Sequence, residues 1–172
     1  GVLRLLGAVL LTGGAGALGF CAAARLNRRV RTLRLLTEAL ERMERELSFR
    51  LTSIPELFAL LADHSAPPVG TFFACCRDSL RRLGEERLED LWRNALAESD
   101  LELDAEERQI LETLGGILGR YDGEGQTQAL ALARTQLERC LEAAVAERSR
   151  MGKVYGALGL AAGAFLVSRI VA

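Results

Sequence analysis

The sequence predicts an all-α protein, an antiparallel bundle of about six helices flanked by one transmembrane helix at each end. Three features lead to this class. Long stretches nearly free of charge lie at both ends of the 172 residues, apolar residues between them recur every three or four positions, and no segment alternates as a strand would. The chain divides into residues 1–24 as the first span, 25–151 as a helical bundle and 152–172 as the second span.

From Val2 to Ala24 the only charge is Arg4, and from Val154 to Val171 the only charge is Arg169. At about 1.5 Å of rise per residue the two stretches reach about 35 Å and about 27 Å, against a hydrocarbon core of about 30 Å. Each is therefore long enough to cross a bilayer.

A formal net charge of −1 hides a strong partition. All 23 carboxylates fall between Glu38 and Glu147, where 12 arginines leave a net charge of −11. Eight cations, Arg25, Arg28, Arg29, Arg31, Arg34, Arg148, Arg150 and Lys153, sit on the inward flanks of the apolar stretches; only Arg4 and Arg169 sit outside. Cations beside a span stay on the cytoplasmic side, so the bundle of a two-pass membrane protein is expected in the cytoplasm, with both termini outside. The acidic middle also argues against nucleic acid as a partner, since phosphate backbones require clustered positive charge. Cys21, Cys75, Cys76 and Cys140 have no zinc-ligand spacing and read as small apolar residues.

Two motifs near the start compete with the first span. Gly14-Ala15-Gly16-Ala17-Leu18-Gly19 matches the dinucleotide-binding glycine fingerprint, with Glu38 about twenty residues on. That fingerprint works only between a strand and a helix of a continuing sheet, and no strand periodicity follows. Arg4, the apolar core and Ala22-Ala23-Ala24 have the outline of a secretory signal. Cleavage would require export of the arginines that follow, and bulky Phe20 precedes Cys21 where a lipoprotein signal has small residues, so retention as an anchor is expected.

The first bundle helix continues out of the span, with Leu33, Leu36, Leu40, Met43 and Leu47 forming one stripe. Ser53-Ile54-Pro55-Glu56 has the form of a capping box with an early proline, opening a short helix that buries Leu57, Phe58 and Leu61 and ends by Ala66-Pro67-Pro68. A third helix carries Val69, Phe72, Phe73, Cys76, Leu80 and Leu83 and stops at Gly84; a fourth carries Leu88, Leu91, Trp92, Ala95 and Leu96. Asp104 to Glu107 repeats the capping pattern before a fifth helix with Ile110, Leu111, Leu114, Ile117 and Leu118. After a turn at Gly123 and Gly125, a last helix with Leu130, Ala133, Leu137, Cys140, Leu141 and Ala144 passes unbroken into the second span.

No residue pattern points to catalysis, a cofactor or a metal. His64 is the only histidine and has no neighbouring nucleophile. The carboxylate clusters Glu85, Glu86, Glu89, Asp90 and Glu102, Asp104, Glu106, Glu107 stand at helix starts, where they complement the helix dipole and solvate a surface. Within the spans, Gly152, Gly156, Gly159 and Gly163 share one helix face, and Thr12, Gly16, Gly19 and Ala23 form a comparable small-residue face. These faces are expected to pack on each other or on a partner's span, which includes another copy of the chain.

Several local strings together carry a family resemblance over nearly the whole chain. They are Leu5-Leu6-Gly7-Ala8, Arg28-Arg29, Leu40 to Leu47 followed by Ser53-Ile54-Pro55-Glu56-Leu57, Trp92-Arg93-Asn94-Ala95-Leu96, Leu114-Gly115 to Leu118-Gly119 leading to Asp122, Glu124 and Gln126, and Tyr155-Gly156-Ala157-Leu158-Gly159. In their order and spacing the sequence resembles the stage III sporulation protein AB family of endospore-forming bacteria. The resemblance implies kinship with the platform (F-type) proteins of type II secretion and type IV pilus systems, whose cytoplasmic domains are six-helix bundles; here there is one bundle where those proteins usually repeat it. It further implies a non-enzymatic scaffold in the mother-cell membrane facing the forespore, in a secretion-like channel complex that engages a cytoplasmic secretion-type ATPase.

Contact with such an ATPase is expected around Glu85, Glu86, Glu89, Asp122, Glu124 and Gln126. The competing reading is a membrane-anchored signalling or adaptor protein outside sporulation, whose first and last helices form a coiled coil. A membrane enzyme acting on lipid would need a polar constellation at the interface, which the sequence does not offer.

Overall fold

A computed structural model describes residues 1–83, 86–120 and 123–171. It contains α1 (Val2–Arg45), a π-helical turn (Glu46–Arg50), α2 (Ile54–His64), α3 (Val69–Leu83), α4 (Leu88–Glu98), α5 (Ala105–Arg120) and α6 (Glu124–Val171), with no strand among the described residues. The chain forms two compact units, one of Gly1–Arg28 with Ala143–Ala172 and one of Arg29–Glu142. The all-helical architecture and six α-helices agree with the sequence reading. Gly84, read as the stop of α3, lies outside the described residues, as do Glu85 and Asp122.

In the first unit, α1 and α6 supply two helices long and apolar enough to cross a membrane. Only 6% and 0% of their apolar windows are buried within the chain, so these are not core helices of a globule. Leu3, Leu10, Leu11, Leu18, Phe20, Leu160, Phe165 and Ile170 all face outward, a pattern that water penalises and hydrocarbon does not. They are candidate membrane spans.

In the second unit, the predicted stripe of α1 is buried: Leu33, Leu36, Leu40 and Met43 are each 0% exposed. Phe58 of α2, Phe72 and Phe73 of α3 and Trp92 of α4 form the centre, with ring centroids 4.9–6.3 Å apart. The Phe72–Trp92 pair is edge-on at 88°, the arrangement that sets a positive ring edge against a negative face. Trp92 also donates from Nε1 to the Leu111 carbonyl at 2.8 Å, which satisfies its one polar atom inside the core and joins α4 to α5. The two helices run antiparallel, because Arg108 Nη1 donates to the Leu96 carbonyl at 3.2 Å near one end and Arg120 pairs with Glu89 at 3.7 Å near the other.

Helix ends depart from the predicted caps in instructive ways. Ser53 occupies the N-cap of α2 with extended backbone, yet its side chain makes no capping bond; its carbonyl accepts from Leu57 N at 2.8 Å. At α5 the reciprocal half of the box forms instead, with Asp104 N donating to Glu107 Oε2 at 2.8 Å. The π-turn after α1 has no glycine or proline to announce it in sequence. It closes on Leu51 at φ 52°, where Thr52 N reaches the Glu46 carbonyl at 3.3 Å and Thr52 Oγ1 donates to Glu46 Oε2 at 2.9 Å. Phe49 and Leu51 project outward from this turn.

Two adjacent glycines in α5 face different surroundings. A Cβ on Gly115 would collide with Cδ1 of the Trp92 ring, whereas a Cβ on Gly116 would stand 3.5 Å from Glu89 Oε1, an ordinary contact. Gly115→Ala is therefore expected to destabilise the bundle by about 1–3 kcal/mol through overpacking. Gly116→Ala should stabilise it by about 0.5–1 kcal/mol by removing the helix penalty of glycine. Denaturant unfolding of each variant, followed by the fluorescence of the only tryptophan, checks this; shifts of the same sign would show that Trp92 is not seated against Gly115.

Candidate functional site

Two charged residues stand where the apolar stripes of α1 and α5 meet. On α1 the buried series Leu40, Leu36 and Leu33 runs on through Val30 and Leu26, with half-buried Arg29 beside it, and on α5 the buried series continues from Leu118, Leu114 and Leu111 back to Glu107. A half-buried cation and a fully buried anion thus stand on two helices 78 residues apart in sequence. They meet: Arg29 Nε and Nη2 donate to Glu107 Oε1 at 2.9 and 2.5 Å, and Nη2 also reaches Asp104 Oδ2 at 2.9 Å.

Glu107 is 0% exposed and Arg29 side-chain exposure is 19%. Each oxygen of Glu107 is used, Oε1 by Arg29 and Oε2 by the backbone N–H of Asp104. Cys140 on α6 stands close enough for its thiol to be held above its ordinary range, first by burial and then by the fields of Glu106 and Glu107, against the opposing pull of Arg29. Reading Glu107 as part of a solvated surface cluster is corrected here. Its neighbour Glu106 is exposed, but Glu107 lies on the buried face of α5. The 4-3-4 spacing Glu107–Leu111–Leu114–Leu118 already carried that signal.

Arg134 of α6 makes a second long-range link, to Glu44 Oε2 of α1 at 3.2 Å and to Glu138 Oε1 at 3.0 Å. Burial lowers the affinity of this guanidinium for its proton, but the two carboxylates outweigh it and hold the group more firmly protonated than usual. The remaining flank cations, Arg25, Arg28, Arg31, Arg34, Arg148, Arg150 and Lys153, are exposed.

The residues expected to meet a partner have internal work in part. Glu89 pairs with Arg93 at 3.3 Å and with Arg120 at 3.7 Å, and Gln126 Nε2 donates to the Leu118 carbonyl at 3.0 Å, closing the end of α5. Glu86 Oε1 accepts from Asn94 at 3.2 Å, while its Oε2 is buried with no hydrogen-bond partner among the described residues. Glu124 opens α6 and accepts from Gln128 at 3.4 Å. His64 closes α2, its Nδ1 2.9 Å from the Leu60 carbonyl. Burial pushes the Cys76 thiol well above the thiol range, which keeps it protonated and inert.

Between the two spans Gly19 and Tyr155 are in direct contact, since a Cβ on Gly19 would stand 2.6 Å from the tyrosine ring. Thr12, Gly16, Gly19, Ala23, Gly152 and Gly159 line a cleft between the helices. Gly156 and Gly163, on the same predicted face as Gly152 and Gly159, are not among its lining residues.

The family model for stage III sporulation protein AB matches residues 4–168. The chain belongs to the stage III sporulation protein AB family. Stage III sporulation protein AB of Bacillus subtilis (strain 168) is 30% identical over 168 residues, 96% of this chain and 98% of the relative. A solved structure of stage III sporulation protein AB superposes with a TM-score of 0.66 at 28% identity, over 72% of this chain and 98% of that one. Membership in the stage III sporulation protein AB family supports a role in sporulation.

The buried pair has a clear energetic signature. Arg29→Met leaves Glu107 as an uncompensated buried charge and is expected to lower bundle stability by about 3–5 kcal/mol. Combining it with Glu107→Leu should recover most of that loss, short of about 1 kcal/mol for the missing Asp104 cap. Double-mutant unfolding of the detergent-solubilised chain measures the coupling, and additive effects of the two changes would refute the pairing.

Proposed function

We propose that the chain is a non-enzymatic platform of a secretion-like channel complex between mother cell and forespore, whose bundle lies in the cytoplasm and engages a secretion-type ATPase. The carrying observation is a compact helical unit, Arg29–Glu142, in a chain with two candidate spans and basic residues collected at their inner borders. Membership in a sporulation family supplies the biological setting. The basic borders favour retention of the bundle on the cytoplasmic side of the mother-cell membrane.

Kinship with the platform proteins of type II secretion and type IV pilus systems is part of this reading, as is contact with other membrane proteins of the channel and with further copies of the chain. An acidic bundle suits electrostatic capture of a partner with a basic face, since complementary charge raises the rate of encounter. Glu86 and Glu124 are the better test positions on the proposed ATPase surface, because Glu89 and Gln126 also brace α5.

Glu86→Lys combined with Glu124→Lys should reduce the ATPase recovered with membranes carrying the protein several-fold, with a larger reduction at low salt than at physiological ionic strength, where screening acts beyond about 8 Å. Sedimentation of membranes followed by immunoblotting for the ATPase reads the effect. If the ATPase sediments equally without this protein, the proposed coupling is wrong; if the double variant retains it as fully as the unmodified protein does, the surface lies elsewhere on the bundle.

A further inference from the structure

The cleft between the spans is an apolar space of about 890 Å³ that the chain does not fill. It is lined by Leu11, Phe20, Leu26, Met151 and Leu158, and by Tyr155 where that ring meets Gly19. At Gly16, Gly152 and Gly159 a Cβ would meet nothing within 4 Å, so no side chain of this chain occupies the space beside them. Hydrocarbon does not leave such a surface bare, because an empty gap forfeits its dispersion contacts.

The composition of the cleft changes along its length. One end is lined by Asn27 and Arg148, and Arg148 is exposed and forms no ion pair among the described residues. From Asn27 to Leu11 the helix rises about 24 Å, more than half of a hydrocarbon core of about 30 Å. The cleft is thus long enough for the full acyl tail of a lipid in one leaflet, with a cation and an amide at the headgroup end. Basic pockets between membrane helices recognise anionic headgroups in this way.

We infer that the cleft is a binding site for an anionic phospholipid, with an acyl tail in the apolar channel and the phosphate held by Arg148 and Asn27. A third membrane helix would also cover the apolar walls, but its apolar side chains would leave Arg148 without a counter-charge. The site requires that α1 and α6 lie in a bilayer and is independent of any ATPase.

The test uses the full chain in neutral detergent, with native mass spectrometry in an equimolar mixture of palmitoyl-oleoyl phosphatidylglycerol and phosphatidylcholine. Phosphatidylglycerol adducts are expected to exceed phosphatidylcholine adducts about fivefold, the worth of one cation near an anionic headgroup. Arg148→Gln should abolish the preference and leave adducts of both lipids, while Arg150→Gln, outside the cleft, should leave the preference intact. Gly16→Leu with Gly159→Leu, which fills the cleft where space is open, should remove both adducts without loss of helicity by circular dichroism. Equal retention of the two lipids by the unmodified chain would overturn the site, as would adducts that persist in the leucine variant. A dimer that forms at the expense of lipid and is lost in that variant would assign the cleft to a second copy instead.

Discussion

The register of the bundle depends on one carboxylate. Glu107 is fully buried, and a charge taken out of water is tolerated only when its partners are in place. Here they come from two directions: the guanidinium of Arg29 on α1 and the backbone N–H of Asp104 at the start of its own helix. Sliding α5 along α1 by a single turn would move Glu107 by about 5.4 Å, far beyond hydrogen-bond reach of Arg29. An apolar contact of similar area would accept several registers at comparable energy. The ion pair accepts one, and it does so between segments 78 residues apart, where local helix preferences have no say.

The rest of the core is organised so that this register can be met. Trp92 is held by a hydrogen bond to the Leu111 carbonyl and by the missing side chain at Gly115, one turn further along the same helix. Its ring then fixes Phe58, Phe72 and Phe73, which belong to α2 and α3. The consequence is a chain of rigid contacts from α5 to α4 to the α2–α3 hairpin, each made by a side chain with few rotamers. Arg134 closes the remaining side by joining α6 to α1 through Glu44. Both long-range ion pairs therefore use α1, at positions 15 residues apart along that helix.

The helices and the apolar core were legible in the sequence because periodicity is a local property. Leu33, Leu36, Leu40, Phe58, Phe72, Trp92, Leu111 and Leu137 follow from spacing alone, and each is buried. What spacing does not convey is partnership. In sequence Arg29 is one of a row of basic flanking residues and Glu107 one of a cluster of acids, since each has neighbours of its own kind. Glu107 alone is distinguished, by its place in the buried spacing of α5, whereas Arg29 stands beside a stripe that continues through Val30 and Leu26, and its role emerges only when the two helices face each other. The π-turn escaped for another reason. Phe49-Arg50-Leu51 offers none of the glycine, asparagine or aspartate that usually takes a left-handed backbone, and Leu51 stands at φ 52° where the bonds between Glu46 and Thr52 close the turn.

The two units solve opposite solvation problems with the same secondary structure. In Arg29–Glu142 the backbone is helical, apolar side chains turn inward, and the buried charge of Glu107 has its counter-charge in Arg29. In the unit that holds the candidate spans, large apolar side chains turn outward, and Gly16, Gly19, Gly152 and Gly159 line the cleft between the two helices. Glycine accordingly has two uses in one chain. At Gly115 it admits an indole ring into a dense core, and at Gly16 and Gly159 it leaves a furrow that nothing within the chain fills. A furrow of that kind is stable only in a medium able to enter it. A phospholipid seated there would be part of the folded state of the spans, whereas the core of the bundle is closed by its own side chains.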